Sequence, residues 1–345
     1  MDKMMRAAQL YGVRDLRIEN VPVPSIAAPD EVLLRIHACG ICPSDMRSYM
    51  GSGKRMGQLP HAQIPGHEWA GEVVDVGAAV QGLRPGDRVV PSWRVTCGHC
   101  YYCGQGLFNY CEQPSHVRVR GGFCEYGVAP ASCLYRIPDN VSYEEATFSE
   151  PLACCINGIH MSNVRLGDDV VVIGAGPIGL LHLQLARLLG ARVIVSEPIA
   201  ARRAMARQLG AHVTIDSASE DVQARVQELT DGRGAQAVIV AVGVPQAVLQ
   251  ALQLADIHGT INCFAGIYPQ TEVLLDPNLI HYKQLVITGS HDYTPHHFRI
   301  AIKLIQHGMV QVAPLITHVL PLERITEAFE LVVEKKGAKV VVKTN

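Results

Sequence analysis

Four branched residues, Val170-Val171-Val172-Ile173, run directly into Gly174-Ala175-Gly176-Pro177-Ile178-Gly179, and that junction narrows the folds open to the chain. A short apolar run suits a strand buried on both faces, as in a parallel sheet. The glycines permit a tight turn, and a proline is well suited to the first turn of the helix that follows. Such a strand, turn and helix aims free backbone N–H groups at one point, where a pyrophosphate can approach. The glycine pattern alone is weak, but Glu197 closes the next strand eighteen residues after Gly179, where a carboxylate accepts hydrogen bonds from adenosine ribose hydroxyls. Gly174, Gly176, Pro177, Ile178, Gly179 and Glu197 are therefore candidate NAD-binding residues. Arg202 and Arg203 keep NADP open, because an arginine near that strand end can hold the extra phosphate or simply face solvent.

Around this unit, apolar runs alternate with amphipathic helical stretches: 170–174, 192–196, 213–215, 237–241, 260–264 and 285–288. Six such strands predict one doubly wound parallel sheet of the Rossmann type. The first half reads differently, as short strands at 6–10, 16–20, 31–37, 69–76, 87–90 and 123–129 punctuated by Gly and Pro. Ser142-x-x-Glu145 is a capping box, Pro151 is placed to open the next helix, and Thr294-Pro295 starts another that runs toward Gly308. The fold expected is α/β in two parts: a mostly β catalytic domain over 1–152 and a cofactor domain over 153–293. A tail, 294–345, is expected to pack back on the first.

At 345 residues and 48% hydrophobic content, each part can bury a core of its own. A formal net charge of -2 with dispersed Lys and Arg offers no basic stripe for nucleic acid and no polybasic membrane arm. The first ten residues lack a secretory core, and the most apolar stretch, 169–190, is broken by glycines, Pro177, His182 and Arg187. A reduced, cytoplasmic protein with a small-molecule substrate is the expectation.

Eleven cysteines then call for a metal rather than disulfides. Cys97-x2-Cys100-x2-Cys103-x7-Cys111 fits a closed tetrahedral zinc cage. Ferredoxin-type runs have a different last spacing, and the flanks are not basic enough to favour a nucleic-acid zinc ribbon. Cys42 with Gly66-His67-Glu68 forms a second candidate set, one that leaves a coordination place open for water or substrate.

With Gly40-Ile41-Cys42-x-Ser44-Asp45, Gly66-His67-Glu68, the four-cysteine lobe and the glycine turn in this order, the chain resembles the zinc-containing medium-chain dehydrogenase/reductase family over nearly its whole length. The resemblance implies a GroES-like catalytic domain beside the Rossmann domain. It implies one catalytic and one structural zinc, and hydride transfer between a secondary alcohol and NAD. Cys42 and His67 would bind the catalytic zinc in the interdomain cleft, with Glu68 as ligand or exchange partner. Glu150-Pro151-Leu152 stands where ethanol-type members carry a further cysteine ligand, as in the polyol or threonine dehydrogenase branch, making Glu150 an alternate ligand or base. Ser44 would begin a proton relay and Asp45 orient His67. Relatives often place a histidine three residues after Ser44, where this chain has Arg47, a group that cannot shuttle a proton but can bind an anion. Ala265-Gly266-Ile267 resembles the backbone edge for the nicotinamide carboxamide, and Ser48–Ile64 a substrate-pocket wall. Rival readings are a sugar-phosphate or aminocyclitol dehydrogenase, and a zinc- and cofactor-binding protein without turnover. A homo-oligomer, dimer or tetramer, is expected as in relatives.

Overall fold

The computed structural model describes residues 3–51, 62–114, 119 and 121–344. They divide into two compact units: Met1–Pro151 with Thr294–Gly308 and Val312–Asn345, and Leu152–Tyr293 with Met309–Gln311.

In the first unit β1 (Met4–Gly12) and β2 (Asp15–Pro22) form an antiparallel hairpin, followed by β3 (Glu31–Gly40), β4 (Glu68–Val76), β5 (Arg88–Pro91), β6 (Tyr126–Pro130) and β7 (Leu134–Arg136). The second unit carries β8 (Asp169–Ile173), β9 (Arg192–Ser196), β10 (Val213–Ile215), β11 (Ala235–Val240), β12 (Ala255–Cys263) and β13 (Val286–Gly289). The chain then returns β14 (Ile316–Pro321) and β15 (Lys339–Lys343) to the first unit.

The second unit is the expected doubly wound sheet, ordered β10-β9-β8-β11-β12-β13 with parallel pairs throughout. Val170, Val171 and Val172 are fully buried in its centre, as a two-faced strand requires. The strand order reverses between β8 and β11, the place where such sheets leave a crevice beyond their carboxyl ends.

The first unit is built on a sheet ordered β14-β15-β3-β4-β5-β7, with β6 also on β3. Alternating Val32, Leu34 and Ile36 bury one face of β3. Trp69, Phe123, Phe329 and Tyr49 fill the core, and the indole N–H of Trp69 donates to the Val119 carbonyl at 2.9 Å. The strand expected from 123 starts only at Tyr126. Gly121, Gly122 and Phe123 instead donate their amides to Gly66 and Pro65 carbonyls, drawing the segment onto the loop before His67. The helix expected from Pro151 begins at Ser149; its first-turn amides have no intrahelical partner, so proline at the third position removes no bond. The capping box expected at Ser142 forms, and Thr294 starts its helix as expected, with a box of its own. Strands β7 and β14, not anticipated from the sequence, are short and only partly buried, so they carry little hydrophobic signal. Met309–Gln311 groups with the second unit, where Gln184 and Gln311 exchange two hydrogen bonds of 2.7 and 3.1 Å.

One buried group in the second unit is a liability. His182, on the helix Pro177–Leu188, is fully buried against Phe264, and neither ring nitrogen has a hydrogen-bond partner among the described residues. Burial pushes the imidazole down to about 3, so the folded ring stays neutral where the unfolded one would charge. Its contribution is therefore intact above the ordinary histidine range and declines as pH falls from about 6.5 toward 3. His182→Leu should raise stability at neutral pH by about 1 kcal/mol and flatten the acid limb, read by thermal melts from pH 7 to 5. An unchanged acid limb would show that His182 is not the group that sets it.

Candidate active site

The first donor set is assembled by a turn, a strand end and a short helix. Cys42 precedes the helix Pro43–Tyr49 as its N-cap, and Asp45 closes the cap by accepting from the Cys42 amide at 3.0 Å. Asp45 is buried and also accepts from the Gly66 amide at 3.3 Å, while its carboxylate lies 3.7 Å from Nδ1 of His67. Gly66-His67-Glu68 leads into β4, and Trp93 sits edge-on to His67 with ring centroids 6.0 Å apart. One ligand atom each of Cys42, His67 and Glu68 lies within 4.8 Å of the others.

The electrostatics of this set favour a cation. Burial opposes a charge on His67, yet the neighbouring Cys42 and Asp45 hold its imidazole well above the ordinary range. Burial likewise works against charged Asp45, and His67 with the two amides outweighs it, keeping the carboxyl below its usual value. Burial raises the Cys42 thiol, with His67 pulling the other way. A thiolate, an imidazole and a carboxylate around one point are the donors a divalent zinc takes, with His67 oriented from behind by Asp45. Glu150 is buried in the first turn of the helix Ser149–Met161 and is not one of the three clustered donors. Ser44 and Arg47 are half-buried on the helix Pro43–Tyr49. Of the Ser48–Ile64 loop, residues 52–61, with His61, lie outside the described residues.

The feature that sequence reading missed is Lys339. It opens β15, is 4% exposed, and donates from Nζ to Oε2 of Glu68, itself 2% exposed.

Cys97, Cys100, Cys103 and Cys111 form the second set, their four sulfurs all within 4.8 Å of one another. Tetrahedral thiolates at a Zn–S distance near 2.3 Å lie about 3.8 Å apart, and Cys97 and Cys103 already stand at 4.0 Å. All eleven cysteines are free thiols. Backbone amides point inward, from Cys97 to the Cys111 sulfur at 3.3 Å and from Cys100 to the Cys97 sulfur at 3.4 Å. The amides of Glu112 and Cys103 bring the Cys100 thiol down to about 6. Burial and Cys100 push Cys103 up to about 12. The cage thus readily forms a first thiolate, and a cation must relieve the crowding of the rest.

In the second unit, Gly174 has φ of 97°, and a Cβ on Gly179 would lie 1.9 Å from the Gly174 carbonyl oxygen. Gly176 is the N-cap of the helix opened by Pro177 and Ile178. Glu197 is buried and accepts from the Ala175 amide at 2.7 Å and the Ile199 amide at 2.9 Å, tying the turn to the end of β9. A carboxylate has lone pairs beyond those two bonds. Ala265, Gly266 and Ile267 follow β12 at the same carboxyl edge, the Ala265 amide donating to Val240. Arg203 is not a solvated helix residue: it donates to the Glu197 and Pro198 carbonyls and pairs with Asp216 at 2.8 Å. Arg202 is half-buried on the same helix.

Residues 28–139 match the alcohol dehydrogenase GroES-like domain, and residues 177–307 match the zinc-binding dehydrogenase domain. The chain is 34% identical to D-arabitol-phosphate dehydrogenase of Enterococcus avium, over 100% of this chain and 99% of that one. The chain belongs to the zinc-binding alcohol dehydrogenase family. It is also 35% identical to L-threonine 3-dehydrogenase of Pyrococcus furiosus, over 99% of this chain and 98% of its relative. A zinc-binding dehydrogenase of Sinorhizobium meliloti, solved with NADP bound, superposes with a TM-score of 0.90 at 32% identity, covering 99% of this chain and 100% of that one. Two domains in this order, with dehydrogenase relatives matching over nearly the whole length, make this family member an oxidoreductase acting on alcohols, on a GroES-like plus Rossmann fold. Among the described residues no helix is long and apolar enough to cross a membrane.

Proposed function

We propose that this chain is an NAD-dependent dehydrogenase of a secondary alcohol, of the polyol, sugar-alcohol or amino-alcohol kind, with a catalytic zinc at Cys42, His67 and Glu68 and a structural zinc at Cys97, Cys100, Cys103 and Cys111. By role, residues 1–152 are the catalytic domain, 153–293 the cofactor domain and 294–345 the tail that completes the former. The observation that carries the reading is the set of a half-buried thiol, a half-buried imidazole and a buried carboxylate, with Asp45 behind His67. Bound there, zinc would supply the Lewis acidity that lets an alcohol give up its hydroxyl proton, which prepares its carbon to pass hydride to the nicotinamide. The chain's own residues do the rest. Ser44 begins the proton relay, accepting the substrate proton as it passes its own hydroxyl proton on toward solvent, Asp45 orients His67, and Glu150 serves as a nearby base or alternate ligand. The turn Gly174–Gly179, with the amides of Gly176, Ile178 and Gly179 at the helix start, receives the pyrophosphate, and Ala265–Ile267 the carboxamide.

Glu197 supports NAD, because its carboxylate already sits at the turn and repels a 2'-phosphate. Arg203 is committed to the chain's own carbonyls and to Asp216, which takes it out of a role in holding a 2'-phosphate. Glu197→Ala should weaken NAD use by about tenfold, one lost hydrogen-bonded carboxylate, and shift preference toward NADP. Kinetics with both cofactors check this; wild-type enzyme that already prefers NADP would refute the role given to Glu197. A broad alcohol and ketone panel, followed by NADH absorbance, tests the activity itself, and tight NADH binding without any turnover would favour a binding protein.

A second reading is a sugar-phosphate substrate, favoured by the likeness to an arabitol-phosphate dehydrogenase and by Arg47 on the Ser44 helix. Phosphorylated and free polyols belong side by side in the panel. A homo-oligomer is part of the proposal: β13 ends its sheet with Val286 and Ile287 exposed and its outer edge paired with no strand among the described residues. Light scattering showing a monomer would remove it. Eleven free thiols support a reducing, cytoplasmic setting, which fractionation of the source cell would test.

A further inference from the structure

Buried ion pairs are poor stabilisers, because two desolvated charges seldom recover what hydration gave them. The Lys339–Glu68 pair is therefore in need of another explanation, and its surroundings offer one. Lys339 is held at the first unit's sheet by β15, which pairs with β3 through Val341 and Gly40, and Gly40 in turn faces Glu68 across β3 and β4. The space for the pair comes from Gly40: a Cβ there would lie 2.6 Å from Oε2 of Glu68 and 2.8 Å from Cε of Lys339. The ammonium, 5.7 Å from the centre of the Phe148 ring, carries an electrostatic interaction with Cys42 and Glu150 as well as with Glu68. One buried cation thus faces two members of the donor set and Glu150 beside it, and its hydrogen bond occupies one carboxylate oxygen of Glu68.

Resting on the catalytic-site reading above, we infer that Lys339 is a positioning residue: by holding one oxygen of Glu68 it limits that carboxylate to a weak hold on a metal at Cys42, His67 and Glu68, so that the metal stays exchangeable. A carboxylate that accepts a hydrogen bond from an ammonium is a weaker metal ligand than one facing the metal alone. Removing the ammonium leaves a buried carboxylate whose best remaining partner is the metal, which it should clamp.

The test uses zinc-loaded enzyme and follows zinc transfer to a chromophoric chelator, together with the visible spectrum of the cobalt-substituted protein. Lys339→Met should slow release of the faster zinc by on the order of tenfold and alter the cobalt bands. Lys339→Arg, which keeps the charge, should behave as wild type, and Lys339→Met with Glu68→Gln should lose the slowing. Glu68→Gln alone gives a check that does not depend on the folding of Lys339→Met: with Glu68 already a weak ligand, release should change less than about threefold. Release at the wild-type rate in a folded Lys339→Met, or release tenfold faster in Glu68→Gln, would each overturn the inference. If Cys42→Ser still carries both zinc ions, the catalytic-site reading itself falls, and this inference with it; if Cys42→Ser loses one ion while Lys339→Met changes nothing, only the role of Lys339 fails.

Discussion

Cys42→Ser is expected to hold one zinc ion per chain in place of two and to turn over on the order of a thousand-fold more slowly, since a Lewis acid contributes several kcal/mol to the barrier. The substitution separates chemistry from folding. Serine is itself a good N-cap, so the helix Pro43–Tyr49 and its Asp45 cap should persist, while a hydroxyl is a far weaker anionic ligand than a thiolate. The remaining ion belongs to the four-cysteine cage, which Cys42 does not touch. Metal analysis beside steady-state kinetics reads both effects. Retention of two ions, or wild-type turnover after loss of one, would remove Cys42, His67 and Glu68 from the catalytic role.

The second large effect is expected from one methyl group. Gly179→Ala places a Cβ 1.9 Å from the Gly174 carbonyl oxygen, where the obstacle is backbone and cannot rotate away. Relief requires the turn to open, which strains the bond from the Ala175 amide to Glu197 that holds the turn against β9. We expect a loss of about 1–3 kcal/mol in the stability of the second unit. NADH should bind more weakly by at least on the order of tenfold, since the amides proposed to receive the pyrophosphate move with the turn. Thermal melting and fluorescence titration with NADH measure the two. Unchanged NADH affinity in a destabilised protein would mean that this turn is structural and that the pyrophosphate sits elsewhere.

The comparison of Glu68 and Glu197 shows why some of the site could be read from the chain and some could not. Glu197 was legible because the role proposed for it follows from local order: strand, glycine turn, helix, strand, acid, all within one supersecondary unit. Even there the structure added that the carboxylate is bonded to the turn's own amide, and that Arg203 is spent on carbonyls rather than left to solvent. Glu68 was legible as a donor beside His67, but its partner is 271 positions away, and nothing in Gly337-Ala338-Lys339-Val340 marks a lysine that will be buried. The return of β15 beside β3 is what brings it there.

From the sequence alone came the parallel sheet, the cofactor turn, both metal sets and the family, because each is written in short patterns: branched runs for buried strands, glycines where a Cβ cannot fit, thiols at ligand spacing. Tertiary structure alone decided which donors meet. It clustered Cys42, His67 and Glu68 apart from Glu150, seated Asp45 behind His67, and buried Lys339 against Glu68. The reason is physical: patterns of a few residues record local conformation, whereas the meeting of β3, β4 and β15 is set by hydrogen-bond register and core packing between segments hundreds of residues apart.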